Sequence, residues 1–519
     1  MCKLARSNAL AAALVVPLAL LSLRANAEII MPAPRANSNK IDFELPVNQQ
    51  LQEIRELQKR FKAGSKNLLS FEEAVKIGIA NNPTLSIAEA RIEEKFWQLT
   101  GNRRQWYPTI AFETSNPVFG RYNSTSNFSQ YNKNPRNNPP KYYKELSQYY
   151  TFAPSLLISW TFFDLPREGN IKASFYDLKS EQYLYGVALR DLILSIQQYY
   201  FKVQSAAKLI ESYTKIYEIN KKQVEILEAR YSRDIIDLGT LAQAQSQYFQ
   251  NLGQLIGYYN QYFNSAAELS YAIGMRNYED FVPATELKQT GQWDKSLEET
   301  IQIATEQREE ILSSLALAEK DDWTAFAQNG EYFPTFSIGA LGTMSIYNGL
   351  NSWPTYAEDQ KNFYNYDETM FASTLGLNFT WSVFDGGVAA ASAKAYQAQA
   401  ESERQTAVQN QEQAAQQVKS AYYQYETAAK EIIVAKKAVD TAKTSQTVAS
   451  MRFDIGLGDI TTVVQTIQLY GQVNQQYVDA LLNYNTAVAE LYRYSAIFPP
   501  SVETEADTTY DAAVDGRSK

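Results

Sequence analysis

Residues 189–231 read LRDLILSIQQYYFKVQSAAKLIESYTKIYEINKKQVEILEARY. Apolar and small residues return in them at alternating steps of three and four. The stripe is Leu189, Leu192, Ile196, Tyr199, Val203, Ala206, Ile210, Tyr213 and Tyr217, then Asn220, Val224, Leu227 and Tyr231. That is the repeat of a helix buried along a narrow seam against neighbouring helices. From Gly169 to about Ser232 there is no proline and little glycine. One helix of about 64 residues is therefore predicted, about 95 Å long at ~1.5 Å per residue. No globular core needs such a rod.

The stripe occurs twice. Adding 222 to each position gives Ala414, Val418, Ala421, Tyr425, Ala428, Ile432, Ala435, Val439, Ala442, Gln446, Ala449 and Phe453. The same offset pairs Tyr200 with Tyr422, Lys208 with Lys430, Arg230 with Arg452, Gln243 with Gln465 and Tyr262 with Tyr484. Closer to the N-terminus the offset is 226, pairing Ser70 with Ser296, Trp97 with Trp323 and Pro108-Thr109 with Pro334-Thr335. The chain is an internal duplication, with a slightly longer loop in the first copy between Thr109 and Trp160. The expected organisation is a signal peptide over 1–27, an N-terminal extension over 28–66, a first repeat over 67–275, a linker over 276–295, a second repeat over 296–498, and a disordered acidic tail over 499–519. Glu72-Glu73 and Glu298-Glu299 read as helix-start charges behind the capping residues Ser70 and Ser296.

Each half places two alternating strands before its long hairpin, at about 108–120 and 151–164, then 334–347 and 371–384. Leu375, Leu377, Phe379, Trp381 and Val383 share one face, against Thr374, Gly376, Asn378, Thr380 and Ser382. Leu156, Ile158, Trp160 and Phe162 oppose Ser155, Ser159 and Thr161, and Ile338, Met344 and Ile346 oppose Ser337, Thr343 and Ser345. A soluble antiparallel sheet alternates in the same way. The ~95 Å helical hairpins (168–275 and 388–498) turn the reading toward a membrane β-barrel, with lipid outside and water inside. Four strands cannot close a barrel, and an open edge cannot lie in lipid. The barrel is therefore shared between copies: two give eight strands and three give twelve.

Composition narrows the function. The chain has 519 residues, 48 basic against 57 acidic, one cysteine and no histidine. Without histidine there is no zinc site of the usual kind and no Ser-His or Cys-His nucleophile. No cofactor, metal or catalytic residue is expected, and the acidic balance speaks against a nucleic-acid partner. Lys3 and Arg6, the uncharged stretch Ser7–Leu23 and Ala25-Asn26-Ala27 form an export signal cleaved after Ala27. Cleavage removes Cys2 and leaves a net charge of −12, with 45 basic residues against 57 acidic. No later run of 18 apolar residues exists to span a membrane as a helix.

The pattern resembles the TolC-like outer membrane efflux proteins over roughly 70–498. Besides the duplication it rests on two local patterns. Trp381-Ser382-Val383-Phe384-Asp385-Gly386-Gly387 is echoed by Trp160 to Asp164. Arg452-Phe453-Asp454-Ile455-Gly456-Leu457-Gly458-Asp459-Ile460 is echoed by Arg230-Tyr231 and Ile235–Thr240. The resemblance implies a mainly α chain with long coiled-coil hairpins forming a periplasmic α-barrel, and a shared 12-stranded barrel in a homotrimer. It implies an outer-membrane duct in contact with lipid, fed by a periplasmic adaptor and an inner-membrane transporter of efflux or ABC type. The duct passively exports small molecules or proteins in a tripartite pump or a type I secretion system. The best-known members carry gate acids about six and nine positions after the turn glycine. Here those positions hold Thr462 and Gln465, so an inherited acidic gate is not expected there. Tip charge lies at Asp234, Asp237, Asp454 and Asp459, beside Arg230, Arg233 and Arg452. These either ring a cation-favouring entrance closed by Arg–Asp pairs, or are turn and cap residues. Gly239, Gly456 and Gly458 allow the tip turns and mark a docking surface. Two rival readings stay open. One is an exported coiled-coil scaffold or adhesin without a pore, and the other is a carboxylate enzyme such as a glycosidase.

Overall fold

A computed structural model describes residues 55–62, 68–130, 141–275, 282–352, 355–356 and 363–515. The chain divides into two units, Met1–Glu56 and Leu57–Lys519. Only residues 55–56 of the first unit are described, and they are helical. The expected signal peptide and its cleavage site lie outside the described residues. All that follows concerns the second unit.

The second unit begins with helical residues 57–62 (α1), a short strand β1 (Leu68–Leu69) and helices α2 (Phe71–Asn81) and α3 (Pro83–Arg104). Two long strands follow, β2 (Thr109–Gln130) and β3 (Lys141–Phe163). Then come the 67-residue helix α4 (Leu165–Tyr231) and its return helix α5 (Leu238–Ala272). The second half repeats the order. After β4 (Val282–Pro283) it runs α6 (Leu297–Gln307), α7 (Glu309–Gly330), β5 (Thr335–Ser352), a short β6 (Thr355–Tyr356) and β7 (Phe363–Thr380). The 67-residue helix α8 (Val388–Asp454), its return α9 (Ile460–Tyr494) and α10 (Glu503–Asp515) complete it. At ~1.5 Å per residue α4 and α8 are each about 100 Å long. Ser70 and Ser296 cap α2 and α6, accepting from the Glu73 and Glu299 amides at 3.1 and 3.2 Å.

Helix α4 is the central rod. It packs against α3 and α5 on one side and α7 and α9 on the other, whereas α8 packs against α9 and the end-to-end pair α6 and α7. The difference follows from the side chains. Besides its heptad stripe α4 buries a second set, including Tyr185, Ile193, Tyr200, Leu209 and Ile216. Helix α8 buries little beyond its alanine-rich stripe and leaves Tyr423, Ile433, Val434 and Val448 exposed.

The short helices meet end to end beside the long ones. In the first half α5 ends where α3 begins. There the Asn82 amide donates to the Ala272 carbonyl at 2.7 Å, and its Oδ1 caps Thr84. The matching junction between α9 and α7 is ionic. Arg493 donates to Asp191 at 2.5 Å and to Glu310 at 2.6 Å. Arg308 holds Glu310 at 3.0 Å and Gln417 at 2.7 Å, and Arg190 holds Glu309 at 2.7 Å. Burial opposes ionisation of Glu310, yet Arg308 and Arg493 outweigh it and bring the carboxyl down to about 2. Acids at the start of α7 and an arginine at the end of α9 also complement the helix dipoles. This cluster ties α4, α7, α8 and α9 together.

Three expectations differ from the structure. The tail placed in disorder over 499–519 contains α10. Val502 and Ala506 are buried, Tyr510 lies against Gly186, and Lys76 pairs with Glu505 at 3.1 Å. Its apolar residues recur every four positions, so an acidic helix still finds a face to bury. The strands are longer than the spans expected at 108–120, 151–164, 334–347 and 371–384, reaching 22, 23, 18 and 18 residues. Trp381–Phe384, expected inside the last strand, fall after it, because Gly386 and Gly387 take φ of 74° and 89° and turn the chain into α8.

Candidate functional site

The four long strands form one antiparallel sheet in the order β2-β3-β5-β7, with β6 pairing beside β3. The two halves join at β3–β5, where Trp160 lies opposite Ile338 and Ile158 opposite Ala340. Strands β2 and β7 are the two edges. The register aligns the alternating sets. Phe112, Leu156, Gly342 and Ser373 share one row, and Ile110, Ile158, Ala340 and Leu375 the next, on a single face. Phe112 is 75% and Leu375 78% exposed on it. The opposite face carries Ser155, Ser159, Thr161, Ser337, Thr343, Ser345, Thr374 and Asn378, with Leu157, Leu341 and Met370 as apolar exceptions.

Aromatic residues bound the apolar band. Trp160, Phe162, Phe336, Phe379 and Trp381 form a continuous belt across β3, β5 and the end of β7, with successive ring centroids 5.1–6.4 Å apart. At the far end the same face carries the polar row Arg121, Tyr150, Asn348 and Asp367. From Tyr150 to Trp160 the strand rises about 33 Å at ~3.3 Å per residue. Tilted by ~40°, that is about 25 Å along a membrane normal, the height of the lipid-facing band of outer-membrane barrels. The belt is fixed from below by a device used in both halves: the Trp160 and Trp381 indoles donate to the Trp106 and Tyr332 carbonyls, each at 2.9 Å. Asp385 receives the Gly387 and Ala389 amides at 2.7 Å, which hold its carboxyl below the usual range.

At the other end of the rods lie the two hairpin tips. Both turns are built alike. The Asp234 amide bonds Tyr231 and the Ile235 amide bonds Arg230; the Gly456 amide bonds Phe453 and the Leu457 amide bonds Arg452. This is the Schellman pattern, which needs a left-handed residue. Gly456 supplies φ 77°, and Asp234, at the matched position, holds φ 56°. Asp237 and Asp459 are the N-caps of α5 and α9. Asp237 accepts from the Thr240 hydroxyl at 2.6 Å and amide at 3.0 Å, which lowers its carboxyl; Asp459 makes no side-chain cap bond. A Cβ on Gly239 would meet the Asp237 carboxylate at 2.9 Å, and one on Gly458 would meet the Phe453 amide at 3.0 Å.

The structure brings the two tips together at one charged residue. Arg230 donates to the Asp454 carbonyl at 3.3 Å and stands over the Phe453 ring at 5.0 Å. The Arg–Asp pairing expected at the tips is not found within one chain among the described residues. The arginine takes a main-chain oxygen and a ring instead, because Asp454 ends α8 with its carbonyl exposed. Arg233, Arg452, Thr462 and Gln465 are exposed, the last two on one side of α9. Sequence reading missed the apolar tip residues Ile235, Leu238, Ile455 and Leu457, all more than 60% exposed. The signal was available: Ile235 and Leu457 match at the offset of 222. It also missed the Arg493–Glu310 junction, whose trace is a charged cluster at helix ends flanked by apolar seams.

A family model described as outer membrane efflux protein matches residues 75–275 and 300–496. No curated protein sequence matches the chain. Among solved structures, the Campylobacter jejuni CmeC outer membrane channel is similar at 16% identity, over 85% of this chain and 89% of that one, with a TM-score of 0.63. A membrane protein from Pseudomonas aeruginosa is similar at 14% identity over 82% and 92%, with a TM-score of 0.63. The open state of the Neisseria gonorrhoeae MtrE outer membrane channel is similar at 14% over 82% and 89%, with a TM-score of 0.61.

Proposed function

The chain belongs to the outer membrane efflux protein family, and from that membership we propose that it is a passive export duct working as a homotrimer. One observation carries the reading. The sheet has an apolar and a polar face, a band about 25 Å tall between aromatic and polar rims, and two edges left without partners in one chain. In lipid those edges must be paired, and β2 of one copy against β7 of the next does so. Three copies then contribute twelve long strands. The helical layer has matching edges. Tyr423, Ile433, Val434 and Val448 of α8 face outward on one side, and Ile87 and Trp97 of α3 and Phe249 of α5 on the other. Joining them extends the barrel into the periplasm.

The tips are the end that receives cargo. Ile235, Leu238, Ile455 and Leu457 form the apolar contact for a periplasmic adaptor, with Gly239, Gly456 and Gly458 keeping the turns tight. The adaptor connects to an inner-membrane transporter, and the cargo is small molecules in a tripartite pump or proteins in type I secretion. Arg230 on Phe453 and Asp454 holds the two hairpins together. Asp234, Asp237, Asp454, Asp459, Arg233, Arg452, Thr462 and Gln465 surround the opening they control.

Electron microscopy of the mature chain extracted in detergent, followed by conductance in planar bilayers, tests this. Hollow three-fold particles that conduct, with conductance raised in Arg230→Ala, are expected. Solid rods without a pore would refute the duct and favour a scaffold.

A further inference from the structure

The two return helices carry almost no positive charge. Helix α5 holds no lysine or arginine, and α9 holds Arg493 alone, which is committed to Asp191 and Glu310. Each carries a glutamate at the matched position, Glu268 and Glu490. Between α8 and α9 runs a groove of about 660 Å³, within the ~300–1,000 Å³ of small-molecule sites. Gln424, Ala428 and Glu431 line it from α8, and Asn483, Ala487 and Glu490 from α9, with Tyr423 at its border. The short connecting segments pack on the opposite side of these helices. Tyr200 donates to the Leu69 carbonyl at 3.0 Å, Asn485 to the Lys288 carbonyl at 2.9 Å, and the Trp293 amide to the Tyr425 hydroxyl at 3.2 Å. A duct cannot hold such segments in its bore, so they mark its outside. Asn483, Ala487 and Glu490 recur at steps of four and three, out of phase with Tyr484, Asn485 and Val488, and so face the bore.

The duplication supplies an internal comparison. Subtracting 222 puts Lys202 at the position of Gln424 and Leu209 at that of Glu431. In the first half Lys202 pairs with Glu268 at 3.8 Å. In the second half that lysine is a glutamine, and Glu490 accepts a hydrogen bond from the Gln198 amide at 3.4 Å. Burial pushes the Glu490 carboxyl up with no basic group offsetting it. The lining among the described residues holds two acids and no base, and Lys419 and Lys430 of α8 lie outside it. A carboxylate partly withdrawn from water without a counter-charge is stabilised by any cation that reaches it. The two acids stand at opposite ends of the groove. Ala421 and Leu491, beside Glu490, share one core cluster, and Glu431 lies ten residues beyond Ala421, about 15 Å at ~1.5 Å per residue. Between the ends the floor is formed by Ala428 and Ala487.

We propose that this groove binds linear polyamines, with one ammonium group at Glu490, a second at Glu431 and the methylene stem over Ala428 and Ala487, a proposal that rests on the duct reading. Three copies place three such grooves around one bore, on the path from the tips to the membrane. A cation with one charge neutralises one end only, and an anion meets repulsion at both.

The test titrates spermine into the mature chain in detergent by isothermal calorimetry, with butylamine as the single-charge counterpart. Spermine is expected to bind and butylamine to bind more weakly. Glu490→Gln and Glu431→Gln each remove one charge-assisted contact, and Gln424→Lys restores the pairing that Lys202 makes in the first half. Each should weaken spermine about tenfold. Gln424 is exposed, so Gln424→Lys carries the test if Glu490→Gln fails to assemble. Spermine binding that is absent in the parent, unchanged in Gln424→Lys, or matched by butylamine overturns the groove. Planar bilayers test the duct separately: spermine added on the tip side should block conductance in the parent and less in Gln424→Lys. A chain that binds spermine through these residues but never conducts overturns the duct reading instead.

Discussion

Replacing Glu310 by glutamine keeps the shape of the α9–α7 junction and removes its central charge. Glu310 sits between Arg493 and Arg308, with its side chain 24% exposed. Its carboxyl is brought from the ordinary 4.5 to about 2. A depressed carboxyl stabilises the folded state fully above the unfolded value and loses that contribution as pH falls from about 4.5 to about 2. At about 1.36 kcal/mol per unit the contribution at neutral pH is about 3 kcal/mol. The glutamine variant leaves Arg493 with Asp191 and Arg308 with Gln417, so complete collapse of the junction is not expected. An unfolding entropy of ~2.1 cal/mol/K per residue gives about 1 kcal/mol/K for the mature chain, so the loss amounts to about 3 °C in Tm. Thermal unfolding of the detergent-solubilised protein, followed by far-UV circular dichroism between neutral pH and pH ~2, reads this directly. The gap between parent and Glu310→Gln should be full at neutral pH and vanish at the acid end. A gap that persists at the acid end would mean the variant disturbs packing and not charge. No gap at neutral pH would refute the stabilising role of the junction.

Three further outcomes are expected. Gly456→Val forces a branched side chain into a φ of 77° and should cost about 1–2 kcal/mol, while Asp234→Gly, at the matched turn, should be neutral or stabilising by up to about 1 kcal/mol; Tm values compare them. Asp237→Ala removes the cap of α5, so amides from Thr240 onward should exchange faster with deuterium. In the parent the same fraying should appear only as pH falls below the usual carboxylate range, because the Asp237 carboxyl is lowered in the fold. Trp381→Phe keeps the belt and loses the indole bond to the Tyr332 carbonyl. It should cost about 1 kcal/mol, while unchanged stability would mean water replaces the bond without loss.

What the sequence alone determined was whatever is written into spacing along the chain. The heptad stripe of α4 is buried from Leu189 to Leu227, with Tyr199 and Tyr217 partly so and Tyr231 exposed at the tip, because a 3.5-residue repeat keeps one face against its neighbours. The strand alternation appears as read because successive side chains must point to opposite sides of a pleat. The tip turns followed from Gly456 and from acids at cap positions. Tertiary structure decided what depends on partners far apart in sequence. Trp160 pairs with Ile338 of the other hairpin, far away in sequence, and only that register makes four alternating strands into one continuous apolar face with a polar one behind it. Glu310 is structural because folding places Arg493 against it in a buried setting, where charge–charge attraction is strong. The acidic tail looked disordered because its few apolar residues have nothing to bury against until α4 presents Gly186. Arg230 found a ring and a carbonyl, since the ends of two different hairpins, and not neighbouring residues, set its surroundings.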